Sequence, residues 1–146
     1  MSLPHRKAPS GFTLVELAVV VVIIGVIASF AVPRFLNSVE RAKATEAFSM
    51  LDTVHSSMER YHARQATYAS TIDDLDVIFS EPENFVVGLV AIPVTESSLE
   101  TGWQVTLTRR GFSAGFGAYT VTFNQDGFDE VNSSIPDVIN PMQTSD

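Results

Sequence analysis

Residues 11–32 read GFTLVELAVVVVIIGVIASFAV, and this stretch decides how the rest of the chain is organised. From Phe12 onward it holds fourteen Phe, Leu, Val and Ile residues and a single charge, Glu16. An apolar helix of about 20 residues matches the hydrocarbon thickness of a bilayer. Burying fourteen large apolar side chains away from water stabilises the chain by a free energy on the order of 20 to 40 kcal/mol. The stretch is therefore expected to lie in lipid, in a protein interior or against copies of itself.

The lone carboxylate of Glu16 is the informative departure from this apolar pattern. An acidic side chain costs about 2.5 to 3.5 kcal/mol at the centre of a membrane span and less near its ends. Glu16 lies near the start of the stretch, which leaves two interpretations. Its side chain either extends along the helix to reach water, or it meets a specific cation.

A short basic leader ends at Gly11, Phe12 follows, and Glu16 is the fifth residue after the glycine. The apolar run then continues without another charge and contains Gly25, with Pro33 just after it. This arrangement resembles the type IV prepilin signature that is shared by type IV pilins and the pseudopilins of type II secretion. The resemblance rests on residues 11–33, and the remainder of the chain matches by architecture alone.

The resemblance implies a processing step and an assembly role. A prepilin peptidase would cut after Gly11 on the cytoplasmic side of the bacterial inner membrane, and the new amino terminus, Phe12, would be methylated. Glu16 would neutralise the amino terminus of a neighbouring subunit in a helical homo-oligomeric filament. An inner-membrane assembly platform and its ATPase are the further implied partners. The filament would be a pilus at the cell surface or a periplasmic pseudopilus.

An ordinary secretory signal is the alternative interpretation of the amino-terminal region. Ser29 and Ala31 are small residues placed for cleavage before Val32, and the product would be a soluble periplasmic or secreted binding module. Two features oppose this interpretation. The apolar run is longer than a signal peptide's core of roughly 7 to 15 residues, and Glu16 lies inside it.

The bulk composition agrees with a small exported subunit. The 146 residues leave room for one globular domain, and loss of residues 1–11 would lower the net charge of −8 by two, to −10. General nucleic-acid binding needs clustered Lys and Arg, so direct binding is not expected. The chain has no cysteine, which excludes a disulfide framework and a thiol nucleophile.

The helix is predicted to continue beyond the apolar stretch, to about Arg64. Pro33 lacks a backbone donor, so a kink is expected between Gly25 and Pro33. Apolar residues then recur at three- and four-residue spacing, which predicts an amphipathic second half. The predicted apolar face consists of Phe35, Leu36, Val39, Ala42, Phe48, Leu51, Val54, Met58 and Tyr61. The charged residues placed away from that face include Arg34, Glu40, Arg41, Lys43, Glu46, Asp52 and Glu59.

Three short strands follow, with a fourth returning after a turn. They are predicted at Phe85–Ile92, Trp103–Thr108 and Tyr119–Asn124, and the turn at Asp126-Gly127 leads into a short strand at 128–131. A short helical turn begins near Thr71, and the tail from Asn132 is predicted to be irregular. The expected fold is α+β, a long helix packed on a small antiparallel sheet. The domains are a leader at 1–11, an apolar helix at 12–33 and a globular domain at 34–146.

The sequence offers no persuasive catalytic grouping, so a non-enzymatic protein without a cofactor is expected. His55, Glu59 and His62 share a helical face and could hold a metal, but a solvated face is the preferred interpretation. Four acidic residues offer oxygen ligands for calcium, which type II major pseudopilins bind in a carboxy-terminal loop. The expected loop pattern is absent, and these residues are interpreted as solvated turn residues. They are Asp126, Asp129, Glu130 and Asp137.

Overall fold

A computed structural model describes residues 11–78, 82–112 and 115–143. Helix α1 spans Leu14–Gln65, and the strands are β1 (Phe85–Val87), β2 (Gln104–Arg109), β3 (Thr120–Asn124) and β4 (Gly127–Phe128). The α+β prediction is confirmed. Of the predicted leader, only Gly11 lies within the described residues. The chain divides into two compact units, one ending at Phe35 and the other beginning at Leu36.

The first unit is the apolar part of α1. The helix continues through Gly25 and Pro33 without interruption, so the predicted kink remains a prediction. All fourteen large apolar side chains of residues 12–32 are exposed, from 44% for Val20 to 84% for Leu14. Among the described residues of this unit, none covers the apolar surface.

In the second unit, one face of α1 packs into the core. The buried residues on this face recur at three- and four-residue spacing, as an amphipathic helix requires. They are Glu40, Ala44, Ala47, Phe48, Leu51, Val54, Ser57 and Met58. The predicted face is correct from Phe48 onward but wrong near its start, because Phe35 is 66% exposed and Ala42 is also exposed. The placement of Glu40 away from the core is also wrong.

The sheet is antiparallel throughout, with the strands in the order β1-β2-β3-β4. Val105 and Leu107 of β2 pair with Phe123 and Val121 of β3, and all four side chains are buried. The intervening Thr106 faces the other side, because successive side chains of a strand alternate between faces. This alternation matches the predicted apolar face of the two central strands.

Strand β1 is shorter than predicted. Val87 pairs with Leu107, whereas Ala91 pairs with Gln104, so this segment carries one residue more than its partner between the two pairs. An extra residue of this kind is a β-bulge, which interrupts regular pairing. Leu89 lies within the bulge and is 91% exposed. The predicted strand to Ile92 is therefore correct only to Val87.

The carboxy-terminal part contributes to the core, which corrects the prediction of an irregular tail. The turn at Gln125–Asp126 joins β3 to β4, because Asn124 pairs with Gly127. A 3-10 helix then forms at Asp137–Ile139, and Ile139 is completely buried. A second 3-10 helix at Ile72–Asp74 confirms the helical turn predicted after Thr71.

Candidate processing and assembly site

The amino-terminal end of α1 is closed by a reciprocal pair of side chains. Thr13 donates from its backbone N and from Oγ1 to Glu16 Oε2, at 2.8 and 2.7 Å. In return, the backbone N of Glu16 donates to Thr13 Oγ1 at 3.2 Å. This is a capping box, in which a Thr before the helix and a Glu three residues later satisfy backbone donors of the first turn. A Thr followed three residues later by a Glu is the sequence pattern of a capping box, but the sequence analysis did not predict one here.

The capping box gives Glu16 a hydrogen-bond partner within its own chain, Thr13, which neither interpretation of Glu16 from the sequence included. Only Oε2 accepts these bonds, and the carboxylate as a whole is exposed at the helix start. The box therefore fixes the position of an acidic group one turn from Phe12. It does so without placing a positive charge beside it.

Gly11 and Phe12 precede the helix in an open environment. Phe12 is 75% exposed, and a Cβ added at Gly11 would have no atom of the described residues beyond its chain neighbour Phe12 within 4 Å. The described part of the fold therefore does not require a glycine at this position. Gly25 has the same property, since a Cβ there also meets nothing within 4 Å.

The predicted site residues are distributed along one helix. Gly11, Phe12 and Glu16 lie together around its start, whereas Gly25 and Pro33 are further along it. Leu14–Gln65 is also long and apolar enough to cross a membrane, with a segment of mean hydropathy 2.8 that is not buried at all. Among the residues that the structure describes, the apolar start of α1 is thus an uncovered apolar surface.

The second unit contains a buried charged cluster centred on Glu40. Arg109 donates from Nε to Glu40 Oε1 at 2.6 Å and from Nη2 to Oε2 at 3.3 Å, and Tyr119 Oη donates to Oε1 at 3.2 Å. Lys43 contacts Oε2 at 3.2 Å from the edge of the cluster. Arg109 Nη1 also donates to the carbonyl oxygens of Asn84 and Arg110.

These contacts determine how the cluster titrates. Burial opposes ionisation of Glu40, but hydrogen bonds from Arg109 and Lys43 outweigh it and hold the pKa of this carboxyl below its ordinary value. Burial and the nearby Glu40 charge raise the pKa of Tyr119 well above the normal range of a phenol. The carboxylate of Glu40 is therefore stabilised in its ionised form by the positive charges of Arg109 and Lys43.

The histidines on α1 are half-buried and pack against the loops of the second unit, so the face predicted to be solvated is only partly solvated at these two positions. His55 Nε2 lies 3.1 Å from the Gln125 carbonyl oxygen, and its ring packs on Trp103. His62 Nε2 lies 3.2 Å from the Glu100 carbonyl oxygen, with its ring stacked on Tyr68. The described residues contain no group of three or more potential metal ligands.

Asp129 is held by amide donors. Its carboxylate accepts hydrogen bonds from the backbone N of Asn132 at 3.0 Å, from Asn132 Nδ2 at 2.7 Å and from Asn124 Nδ2 at 3.2 Å. Burial opposes ionisation, but these bonds prevail and lower the pKa of Asp129. The carboxylate of Asp129 thus closes the loop after β4.

Together these features define a class of protein, in which a helix with an apolar, capped start continues into an antiparallel-sheet domain. Residues 6–32 match the prokaryotic N-terminal methylation motif. The chain is 34% identical over 78 residues to the type II secretion system core protein G of Pseudomonas aeruginosa, covering 53% of this chain and 55% of that protein. The resemblance to type IV pilins and secretion pseudopilins is thereby confirmed.

Two further relatives come from both branches of that resemblance. The type II secretion system core protein G of Vibrio cholerae is 35% identical over 78 residues, 53% of each chain. The type IV narrow pilus major component of Thermus thermophilus is 36% identical over 73 residues, 50% of this chain and 60% of that protein. The chain thus spans about half the length of the curated relatives it matches. No solved structure gives a significant match.

Proposed function

We propose that this chain is a structural subunit of a helical filament of the type IV pilus or pseudopilus kind. The precursor would be held in the bacterial inner membrane by residues 12–33, and assembly would bring the apolar starts of many α1 helices together. The work assigned to the chain is polymerisation, not catalysis.

One observation carries this proposal, namely the uncovered apolar surface at the start of α1. Its fourteen large side chains are all at least 44% exposed. Their burial is worth on the order of 20 to 40 kcal/mol, so the segment requires another apolar environment. Lipid provides it for the precursor, and neighbouring helices provide it in the filament. A helix that was only a membrane anchor would need lipid alone. The matched methylation motif supports the additional role of packing against neighbouring helices in a filament.

We assign the choice of axial register to Glu16. After cleavage at Gly11, the amino terminus of Phe12 would be a cation beside an apolar helix. A buried charge without a partner costs several kcal/mol, whereas a paired one is nearly neutral. The capping box with Thr13 holds the carboxylate at the helix start through Oε2. The amino terminus of a neighbour would then pair with this carboxylate at the correct axial offset.

The same proposal specifies the external partners. A prepilin peptidase would recognise Gly11, whose lack of a side chain the fold does not explain, and would methylate Phe12. An assembly platform and an ATPase would extract the subunit from the membrane. The assembled filament would lie at the cell surface or in the periplasm.

Separating the two units of the chain tests this proposal. The full-length chain is expected in the membrane fraction and in filaments sheared from cells. A fragment of residues 34–146 is expected to be soluble, folded and monomeric, because its core is formed by residues from Glu40 onward. Aggregation of the fragment, or filaments formed without residues 1–33, would contradict the proposal.

A further inference from the structure

Phe112 is an exposed aromatic side chain in the connection between β2 and β3. It is 88% exposed, although burying an aromatic ring is strongly favourable. The preceding Gly111 has a φ of +68°, a conformation that residues with a side chain rarely adopt. The ring lies close to Gly117, where an added Cβ would be only 3.3 Å from Phe112 Cε1. The glycines thus allow the ring to stand outward at this point.

A groove of about 550 Å³ lies on another part of the same unit. The helix α1 contributes Met50 to it, the 3-10 helix region contributes Ile72 and Val77, and the β-bulge contributes Leu89 and Val90. Its lining is mostly apolar, and the volume accommodates an aromatic side chain. Leu89 at its border is 91% exposed. The described part of the chain leaves this groove open.

The charges beside the two features are opposite. Arg110 precedes the exposed ring by two residues, and its Nε donates to the Phe85 carbonyl oxygen at 2.9 Å, which fixes the guanidinium beside the loop. Asp73 lines the groove, and Asp74 follows it in the same 3-10 helix. Bringing the ring to the groove would therefore bring a cation to an acidic border.

The two features are also displaced along α1. Arg109, at the base of the loop, contacts Glu40, whereas the groove contacts Met50, ten residues further along the helix. Ten helical residues span about 15 Å. The base of the loop and the groove thus lie at different levels of α1, and subunits shifted along a common axis would bring these two levels together.

We propose that Phe112 of one subunit inserts into the groove lined by Met50, Ile72 and Leu89 of a neighbouring subunit. The occupant of the groove is thus a second copy of this chain, and the inference rests on the filament function proposed above. A contact between two different surfaces of identical subunits is heterologous and generates an open helical array. The contact would join the globular domains and lies outside the apolar helix bundle.

Cysteine cross-linking tests this contact cleanly because the chain has no cysteine of its own. Phe112→Cys and Leu89→Cys are combined in one full-length chain, and sheared filaments are oxidised and separated under non-reducing conditions. A heterologous contact is expected to give a ladder of covalent multimers. Each single variant is expected to give none. The matched control combines Phe112→Cys with Val131→Cys, a side chain that is also 91% exposed, and is expected to give no ladder.

A second measurement does not depend on disulfide formation. Phe112→Ala is expected to lower the recovery of filaments about tenfold, because one aromatic burial per contact is lost. Val131→Ala is expected to leave recovery unchanged. The secondary structure of the domain should be unchanged in both, since neither side chain is buried.

The outcomes separate this inference from the proposed function. No filaments from the unaltered chain would contradict the function itself. Filaments of the double-cysteine variant without a ladder, at whatever recovery, or an equal ladder from the control, would overturn the contact while leaving the function intact. Normal filament recovery of Phe112→Ala would overturn it as well, and would leave the groove to a small apolar ligand.

Discussion

Glu40 and Arg109 form a two-point ion pair at 2.6 and 3.3 Å that is almost completely removed from water, with 1% and 5% of their side chains exposed. The pair joins the beginning of the packed part of α1 to the end of β2. Because both charges are buried, each depends on the other to offset the free energy lost on leaving water. The pair therefore fixes where the helix packs on the sheet.

The first prediction concerns this ion pair. Glu40→Gln preserves the shape of the side chain and leaves the Arg109 charge buried without a counter-charge. Such a change is expected to lower the free energy of unfolding by about 3 to 5 kcal/mol. Urea denaturation of the 34–146 fragment, with and without the substitution, measures this loss in the free energy of unfolding.

The double variant Glu40→Met with Arg109→Met is the matched control. It removes both charges and is expected to be more stable than either single charge-removing variant, since apolar replacement of a buried pair is often close to neutral. A loss below about 0.5 kcal/mol for Glu40→Gln would show that the pair does not hold the helix to the sheet.

The second prediction is the acid dependence of stability. The folded pKa of Glu40 lies below its ordinary value of 4.5, so its contribution is fully present above that pH and is lost as the pH falls through the folded pKa. The stability difference between the native fragment and Glu40→Gln should therefore narrow as the pH is lowered from about 5 to 2. Thermal unfolding across this range measures the difference, and a constant difference would contradict the assignment.

The third prediction concerns calcium. Asp129 already accepts three hydrogen bonds from amide donors, so a chelator is expected to leave the melting temperature of the fragment unchanged. Asp129→Ala is expected to cost about 1 to 3 kcal/mol, because it frees those donors. Glu130→Ala, an exposed neighbour, is the matched control and should cost less than about 0.5 kcal/mol. A chelator-induced fall in the melting temperature would restore the calcium interpretation.

The fourth prediction concerns Glu16. Gln also serves in a capping box, so Glu16→Gln should retain the helix start while removing the charge. The variant is expected to enter the membrane and to be cleaved, but to give few filaments, because the incoming amino terminus would be buried without a counter-charge. Filament recovery by shearing and sedimentation measures this effect.

Thr13→Val is the control that separates the cap from the charge. It removes the hydroxyl of the capping box and leaves the carboxylate of Glu16 in place. Filament recovery is expected to fall less than in Glu16→Gln. Normal filament recovery from the Glu16→Gln variant would instead support the other interpretation, in which the Glu16 carboxylate only extends along the helix to reach water.

Much of the fold was predictable because it depends on periodicity. The alternation in Val105 and Leu107 indicated the inward face of the sheet, and the apolar run of residues 12–32 indicated a helix without a cover. Gly11, Phe12 and Glu16 were singled out because their arrangement resembles the type IV prepilin signature, and their roles remain predictions. These features are local, so a pattern in the sequence contains them.

The features that were missed depend on contacts between distant residues. Glu40 was placed on a solvated face because a charge is expected there, and only the position of Arg109, 69 residues later, makes its burial favourable. Ile139 was assigned to an irregular tail because nothing near it in sequence shows that the tail returns to the core. The bulge after Val87 is likewise invisible in a continuous apolar run.

The amino terminus of the assembled subunit tests the central claim most directly. Filaments sheared from cells are dissolved, and the intact mass and terminal sequence of the subunit are determined. The expected chain begins at Phe12 and carries one added methyl group. Gly11→Leu adds a bulky side chain where the described residues beyond Phe12 leave at least 4 Å of space, and it should leave uncleaved precursor in the membrane. A chain beginning near Val32, or normal processing of Gly11→Leu, would contradict the claim.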